Sequence, residues 1–222
     1  MKNIIVFAAH ADDEVLGCGA TLSKYIDLGY KIKIIFFTDG VGSRKNNTKR
    51  KILKRKSHTK EALTELGISN FKYYDLSDNE LDKYPILRII KIIEKEILLF
   101  KPSIVFTHFD GDLNIDHQII SKATITACRL DSNIVKLYQY EVLSSTELNN
   151  LTNYKPFKPN IFVNVNSSLP KKISAMNKYK DELREWPNPR SLEGIKTLAK
   201  FRGMQSGQGY SEAFILIKEL IS

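Results

Sequence analysis

With 222 residues, 42% of them hydrophobic and 27% charged, the chain has an ordinary globular composition and the length to bury one core. We expect a single domain over residues 1–222. No apolar run approaches the roughly 18 residues of a membrane-spanning helix, which excludes that class. Carboxylates follow the first apolar run where a signal peptide would need small residues, and Cys18 and Cys128 form no CxxC motif. These features predict a soluble protein of the reducing cytoplasm.

The basic residues are concentrated in one stretch. The chain has 34 Lys and Arg against 25 Asp and Glu, a net charge of +9, and residues 44–60 hold nine basic residues without a carboxylate. Such a stretch attracts anions. It is either a solvated loop and helix face or a site for a phosphate on the substrate, as in a nucleotide sugar. Nucleic acid is a weaker candidate, since the stretch lacks interleaved aromatic residues and a known binding motif.

Short apolar runs alternate with longer segments of helical periodicity. Strands are predicted at residues 4–8, 32–37, 71–74, 104–107 and 135–140. Helices are predicted between them at residues 16–28, 49–66, 85–100 and 117–130. The alternation indicates an α/β fold, a Rossmann-like, three-layer, doubly wound arrangement with a mostly parallel sheet.

The pattern is looser after residue 145. We expect a strand at residues 161–165, a helix at 169–184 and a last helix near 192–204. Residues 214–221 fit either a strand or a helix. The sequence has no repeat and no low-complexity linker that would mark a second domain.

Two loops rich in metal-ligand side chains follow the first and fourth predicted strands. Residues 10–14 read HADDE, and residues 108–117 read HFDGDLNIDH. In the common strand order 3-2-1-4-5, the binding crevice opens between these two strands. Imidazole and carboxylate ligands suit Zn²⁺, and a catalytic site keeps three protein ligands and one open position for water. A neighbouring carboxylate accepts the proton of that water, so consecutive aspartates supply both a ligand and a base.

The HADDE segment is similar to the (P/A)H(P/A)DDE signature of the LmbE/PIG-L deacetylase family, and GDLNIDH resembles the second metal motif of that family. The resemblance implies an LmbE-like fold in which His10, Asp13 and His117 bind zinc or another divalent metal. It also implies that Asp12 is the general base. The implied function is hydrolytic removal of an N-acetyl group from an amino sugar or sugar conjugate. Weaker similarities lie at residues 38–40, 66–67, 186–191 and 202–203.

This chain departs from the family pattern at the position of the residue that stabilises the oxyanion. Many members have a histidine three positions before the last ligand, where this chain has Asn114. An amide still donates a hydrogen bond, so Asn114 and His108 are both candidates for that role. Asp116, next to His117, is expected to orient a ring N–H.

Several polar residues remain as candidates with two interpretations. Arg55, in a segment that resembles the basic helix of the family, is either a substrate contact or a pairing residue, and His58 occupies the acidic position of the RxxE pattern there. Asp110 and Asp112 bind substrate hydroxyl groups or shape the turn around Gly111. For Glu14 a structural role at the first helix is preferred.

Two other functions are alternatives to hydrolysis. Gly17 and Gly19 resemble part of a phosphate-binding turn, which suggests a nucleotide-binding Rossmann protein. However, the pair comes after HADDE, and Leu22 stands where the third glycine is required. The second alternative is a non-catalytic binder of nucleic acid or a membrane surface through residues 44–60, with a steep salt dependence.

Overall fold

The structure is a computed structural model that describes residues 2–38, 40, 49–151 and 155–221, without the side chains of residues 150 and 151. Part of the basic stretch, residues 44–48, lies outside the described residues. Asp39, in the predicted turn at residues 38–40, lies outside them as well.

Seven strands and six helices alternate through most of the described chain. The strands are β1 (Asn3–Ala8), β2 (Lys31–Thr38), β3 (Asn70–Leu76), β4 (Ile104–His108), β5 (Lys136–Tyr140), β6 (Ile161–Asn164) and β7 (Ser211–Glu219). The helices are α1 (Asp13–Asp27), α2 (Lys49–Glu65), α3 (Ile86–Phe100), α4 (Ile115–Cys128), α5 (Leu169–Lys178) and α6 (Leu192–Gln205).

The strands form one sheet in the order β3-β2-β1-β4-β5-β7-β6. The first five are parallel, and β7 runs antiparallel to both β5 and β6. The predicted doubly wound, mostly parallel sheet is therefore confirmed. Residues 214–219, which the sequence leaves open between strand and helix, belong to β7. As predicted, β1 and β4 are neighbours, so the loops after them lie at the same edge of the sheet.

Helices cover both faces of the sheet because side chains of a strand alternate between its faces. In β1, Ile4 and Val6 pack with α1, α2 and α5 on one face. Ile5 and Phe7 pack with α3 and α4 on the other face. The result is the three-layer arrangement that the alternating pattern predicts.

Three of the differences from the predicted helix boundaries affect the site. Helix α1 begins at Asp13, three residues early, and α4 begins at Ile115, where the side chain of Asn114 accepts hydrogen bonds from the first turn. Both helices therefore begin within the ligand-rich loops. Helix α5 ends at Lys178 instead of residue 184, because the chain turns there and sends Tyr179 and Glu182 inward.

A buried ion pair between α5 and the last strand, β7, also contacts the backbone of α1. Lys172 Nζ lies 2.6 Å from Glu212 Oε1 and donates to the carbonyl of Leu16 at 2.7 Å. Glu212 also accepts from the backbone N–H groups of Ala20 and Thr21. Helix α1 is thus held at its middle by side chains from α5 and β7.

Within the described ranges, no helix combines the length and the apolar character that crossing a bilayer requires.

Candidate metal centre and active site

The HADDE turn links the end of β1 to the start of α1. Asp12 precedes the helix with φ 118°, in a region that non-glycine residues rarely adopt. Such strain persists only where surrounding contacts hold the backbone in place. The turn directs Asp13 toward β4 and Asp12 toward the opposite wall of a cleft.

His10, Asp13 and His117 converge on one point. His10 Nδ1 lies 3.2 Å from His117 Nε2 and 3.3 Å from Asp13 Oδ2, and His117 Nε2 lies 3.4 Å from Asp13 Oδ2. Ligands at about 2.0–2.1 Å from a tetrahedral Zn²⁺ are separated by about 3.3–3.4 Å. The three side chains therefore form a buried group of the size that a tetrahedral ion requires.

Buried carboxylates contact the outer nitrogen of each histidine. Asp112 Oδ1 lies 3.1 Å from His117 Nδ1. Asp116 Oδ2 and Asp78 Oδ1 each lie 3.2 Å from His10 Nε2. Asp116 thus faces a ring nitrogen as predicted, but the ring belongs to His10 and not to its neighbour His117. Carboxylates in these positions fix the tautomer and orientation of a metal-binding imidazole.

The electrostatic field at the centre of the His10, Asp13 and His117 group favours a positive charge. Burial opposes protonation of His117, but Asp13 and Asp112 outweigh it and raise the pKa of the ring to about 9. Burial disfavours the ionised form of Asp13 as well, yet the three neighbouring histidines hold its pKa well below the usual range. A divalent cation satisfies the same field without a proton.

Asp12 lies on the other wall, between two arginines. Arg190 Nη1 is 3.3 Å from Asp12 Oδ2, and Arg55 Nη2 is 3.5 Å from Asp12 Oδ1. Burial raises the pKa of Asp12 to about 6, while Arg190 and Arg55 act in the opposite direction. Asp12 is only 1% exposed, and it still lines the cleft.

Arg55 is buried and has protein partners, as its interpretation as a pairing residue predicts, and it also lines the cleft. It forms an ion pair with Glu182 and donates to the carbonyl of Ala11. A side chain at Gly40, whose φ is 67°, would come within 2.8 Å of the guanidinium group. Glycine at the turn after β2 therefore leaves the space that Arg55 occupies beside the base.

The two candidates for the oxyanion role lie in different places. His108 is fully buried, accepts a hydrogen bond from the N–H of Ala9 at 2.9 Å and stacks on His117 at 3.9 Å between ring centroids. Burial also holds its pKa well below the usual range. His108 therefore supports the metal group from behind, which argues against direct contact with substrate.

Asn114 lines the cleft instead. Its Oδ1 accepts from the N–H groups of Asp116 and His117, at 2.8 and 3.4 Å, so its Nδ2 faces outward. One Nδ2 hydrogen is directed to Asn79 Oδ1 at 3.0 Å. The second hydrogen remains for a ligand in the cleft.

The two aspartates around Gly111 are not among the residues that line the cleft, which favours the structural alternative over contacts with substrate hydroxyl groups. Asp110 is exposed and lies 3.5 Å from Lys155 Nζ. Asp112 is fully buried and accepts hydrogen bonds from Ser145 and Thr146. Burial opposes ionisation of Asp112, but His117 and these hydroxyl groups lower its pKa to about 2.

The remaining HADDE residues and the glycine pair have structural contacts. Glu14 accepts from the N–H of Asp12 at 2.9 Å and from Tyr179 Oη at 2.7 Å, and burial raises its pKa to about 8. Gly17 lies inside α1, where a Cβ would come within 2.2 Å of the ring of Tyr140. The glycine therefore permits packing and is not part of a phosphate-binding turn.

The sequence interpretation missed several residues around the cleft. Asp78 and Asn79 follow β3, and a polar pair at the carboxyl end of a parallel strand is a signal that could have revealed them. Glu182 carries no such signal, because only the packing of α5 on α2 brings it to Arg55. Arg190 lies in the segment of weaker similarity at residues 186–191 and reaches Asp12.

The cleft between the metal group and Asp12 has a volume of about 100 Å³. Its lining is almost entirely polar and consists of His10, Asp12, Gly40, Arg55, Asp78, Asn79, Asn114, Glu182 and Arg190. A buried group of this size and chemistry could hold a metal ion, and beside a carboxylate in a polar cleft it is an arrangement suited to hydrolysis.

Comparisons with known proteins agree with this class of site. The family model described as PIG-L, GlcNAc-PI de-N-acetylase, matches residues 5–128. The uncharacterized deacetylase YaiS of Escherichia coli (strain K12) is 27% identical over 184 residues, which cover 81% of this chain and 91% of YaiS. The diacetylchitobiose deacetylase of Thermococcus kodakarensis is 23% identical and covers 96% of this chain, with 82% of its own length matched.

A solved structure shares the fold without sharing the name of a deacetylase. GalB, the 4-carboxy-2-hydroxymuconate hydratase of Pseudomonas putida KT2440, has a TM-score of 0.79 at 17% identity, with 100% of this chain and 98% of GalB covered. The family match spans more than half of the chain. This chain therefore belongs to the PIG-L family of deacetylases, hydrolases of amide bonds, and the predicted resemblance is confirmed.

Proposed function

We propose that the protein is a zinc-dependent hydrolase that removes the acetyl group from the nitrogen of an N-acetylated amino sugar. The observation that carries the proposal is the triangle of His10, Asp13 and His117, whose edges of 3.2–3.4 Å suit a tetrahedral ion, beside Asp12 in the same cleft. The similarity to diacetylchitobiose deacetylase and the family description, which names a de-N-acetylase of a GlcNAc conjugate, support the substrate class.

His10 Nδ1, His117 Nε2 and Asp13 Oδ2 are the atoms that would hold the metal. A bound zinc ion supplies Lewis acidity, which polarises the amide carbonyl and lowers the pKa of water. Asp112 and Asp116 lie at the outer ring nitrogens of His117 and His10 and hold the two imidazoles in orientation.

Asp12 moves the proton. Its carboxylate accepts a proton from the attacking water as the oxygen–carbon bond forms. The same group then returns the proton to the sugar nitrogen when the carbon–nitrogen bond breaks, and the products are acetate and a free amine. Arg55 and Arg190 hold the carboxylate in position, and the unengaged Nδ2 hydrogen of Asn114 donates to the oxyanion.

The proposal is tested by measuring metal content and acetate release together. We expect purified protein to contain one equivalent of Zn²⁺ and to release acetate from at least one member of a panel of N-acetylated sugars, sugar phosphates, nucleotide sugars and lipid-linked sugars. A chelator should abolish release and added Zn²⁺ should restore it. Acetate release that persists in metal-free protein would contradict the mechanism.

A further inference from the structure

A second depression adjoins the cleft along α2. It is a groove of about 310 Å³, three times the volume of the cleft, and it shares Arg55 and Glu182 with the cleft. Its other lining residues are Lys51, Lys54, His58, Tyr179 and Asp181. A substrate whose acetamido group lies in the cleft would therefore have this groove beside it, where a group attached to the sugar could bind.

Cationic side chains outnumber carboxylates in the lining of the groove. Its two carboxylates each have a cationic partner, since Asp181 Oδ2 lies 2.8 Å from Lys54 Nζ and Glu182 pairs with Arg55. Lys51 adds a third cation, and His58 adds no negative charge. The lining thus has more cations than carboxylates even with the histidine neutral.

The helix behind the groove strengthens this field. Residues 49–60 of α2 hold seven lysines and arginines and no carboxylate. They occupy the first three turns of a helix of 17 residues, whose dipole also directs positive potential toward its start. A field of one sign in a concave site concentrates ligands of the opposite charge.

We propose that this groove binds a phosphate group carried by the amino-sugar substrate. The inference rests on the proposed function, because it takes the acetamido group to lie in the cleft. In an amino sugar the phosphate at carbon 1 is attached next to carbon 2, which bears the acetamido nitrogen, so the two groups are one bond apart on the ring. Lysine ammonium groups bind phosphate as point charges. The remaining volume accommodates the group beyond the phosphate.

The test compares a neutral and a phosphorylated substrate on paired variants. One variant, Lys51→Gln with Lys54→Gln, removes two cations from the groove. The matched control, Arg50→Gln with Lys60→Gln, removes two exposed cations of the same helix that do not line the groove. Both variants lose the same net charge, so the comparison separates local binding from general attraction.

We expect the groove variant to raise KM for N-acetylglucosamine 1-phosphate by about 10-fold, the loss expected for two exposed charge contacts. Its kcat and its KM for N-acetylglucosamine should stay within about twofold of the parent values. The control variant should leave both substrates within about twofold. Equal changes in KM for the two sugars, or equal effects of the two variants, would overturn the inference.

Two further substrates, tested in the same assay, identify the source of the phosphate. A nucleoside diphosphate sugar in solution and a phosphoinositide-linked N-acetylglucosamine in lipid vesicles are compared with the sugar 1-phosphate. The physiological class is the one whose kcat/KM is highest and falls most in the groove variant.

Binding separates a failure of this inference from a failure of the proposed function. N-Acetylglucosamine 1-phosphate is titrated into metal-loaded Asp12→Asn protein, with and without the two groove substitutions. About 10-fold weaker binding in the groove variant supports the phosphate site even if no sugar in the panel releases acetate. Unchanged binding overturns the site even if acetate release is observed.

Discussion

The two walls of the cleft are built from different parts of the chain. The metal wall takes His10, Asp13 and His117 from the ends of β1 and β4, and all of its close partners lie within residues 9–146. The base wall holds Asp12 with Arg55, Glu182 and Arg190, and the last two come from segments beyond α5. The candidate ligands are thus positioned by adjacent strands, while Asp12, the proposed base, is positioned by long-range packing. The two walls should respond differently to substitution.

The largest effect is expected from breaking the metal wall. His117→Ala removes one of three ligands, so we expect less than one-tenth equivalent of bound Zn²⁺ and a loss of acetate release of about 1,000-fold or more. Elemental analysis of the purified variant and an acetate assay measure both. A variant that keeps one equivalent of zinc would show that His117 is not a ligand.

The base wall should lose activity without losing metal. Asp12→Asn keeps the shape of the side chain but removes the proton acceptor, and we expect kcat to fall by about 100- to 10,000-fold with zinc content unchanged. Asp110→Asn is the matched control, since Asp110 is exposed and outside the cleft, and its kcat should stay within about twofold. Full activity in Asp12→Asn would assign the base to another residue.

The support of the base should matter less than the base itself. Arg190→Ala leaves Asp12 with Arg55 alone, and we expect a loss in kcat of about 100-fold, the scale that follows from misplacing a reacting group. Arg190→Lys should recover part of the loss, and zinc content should not change in either variant. Arg184→Ala, on the same segment but bonded only to backbone carbonyls, is the control. A loss of zinc in Arg190→Ala would mean that the two walls are not independent.

The smallest effect is expected from the outer support of the metal wall. Asp112→Asn weakens the acceptor behind His117, and we expect the affinity for Zn²⁺ to fall by about 10- to 100-fold while kcat at saturating zinc stays close to the parent value. Competition with a chromogenic chelator measures the affinity. An unchanged affinity would show that the hydroxyl groups of Ser145 and Thr146, not His117, are the important partners of Asp112.

The sequence predicts the metal wall well for a physical reason. A strand of a parallel sheet ends at a defined edge, so residues 10–13 and residue 117 are near one another as soon as the order of β1 and β4 is known. The pairing of carboxylates with rings is a finer matter. Asp116 lies with Asn114 at the start of α4 and faces His10, while Asp112 faces His117. Which carboxylate contacts which ring therefore depends on the geometry of the turn and not on the spacing of the residues in the sequence.

The base wall is harder to predict because its contacts depend on packing between distant segments. Glu182 reaches Arg55 only because α5 ends at Lys178, six residues before the end that periodicity indicates. Asp78 approaches His10 only because the segment after β3 is tied to Asp116 through the N–H groups of Asn79 and Leu81. The contact of Glu182 has no local pattern in the sequence, and the only signal for Asp78 is its position after the carboxyl end of β3.

The buried pair of Lys172 and Glu212 has a consequence for the order of events during synthesis. A chain leaves the ribosome from its N-terminus, and the metal ligands are complete once residue 117 has emerged. The two side chains that hold the middle of α1, the helix that carries Asp13, follow much later. In the proposed zinc enzyme, all three candidate ligands therefore precede, along the chain, the two side chains that fix the helix beneath them.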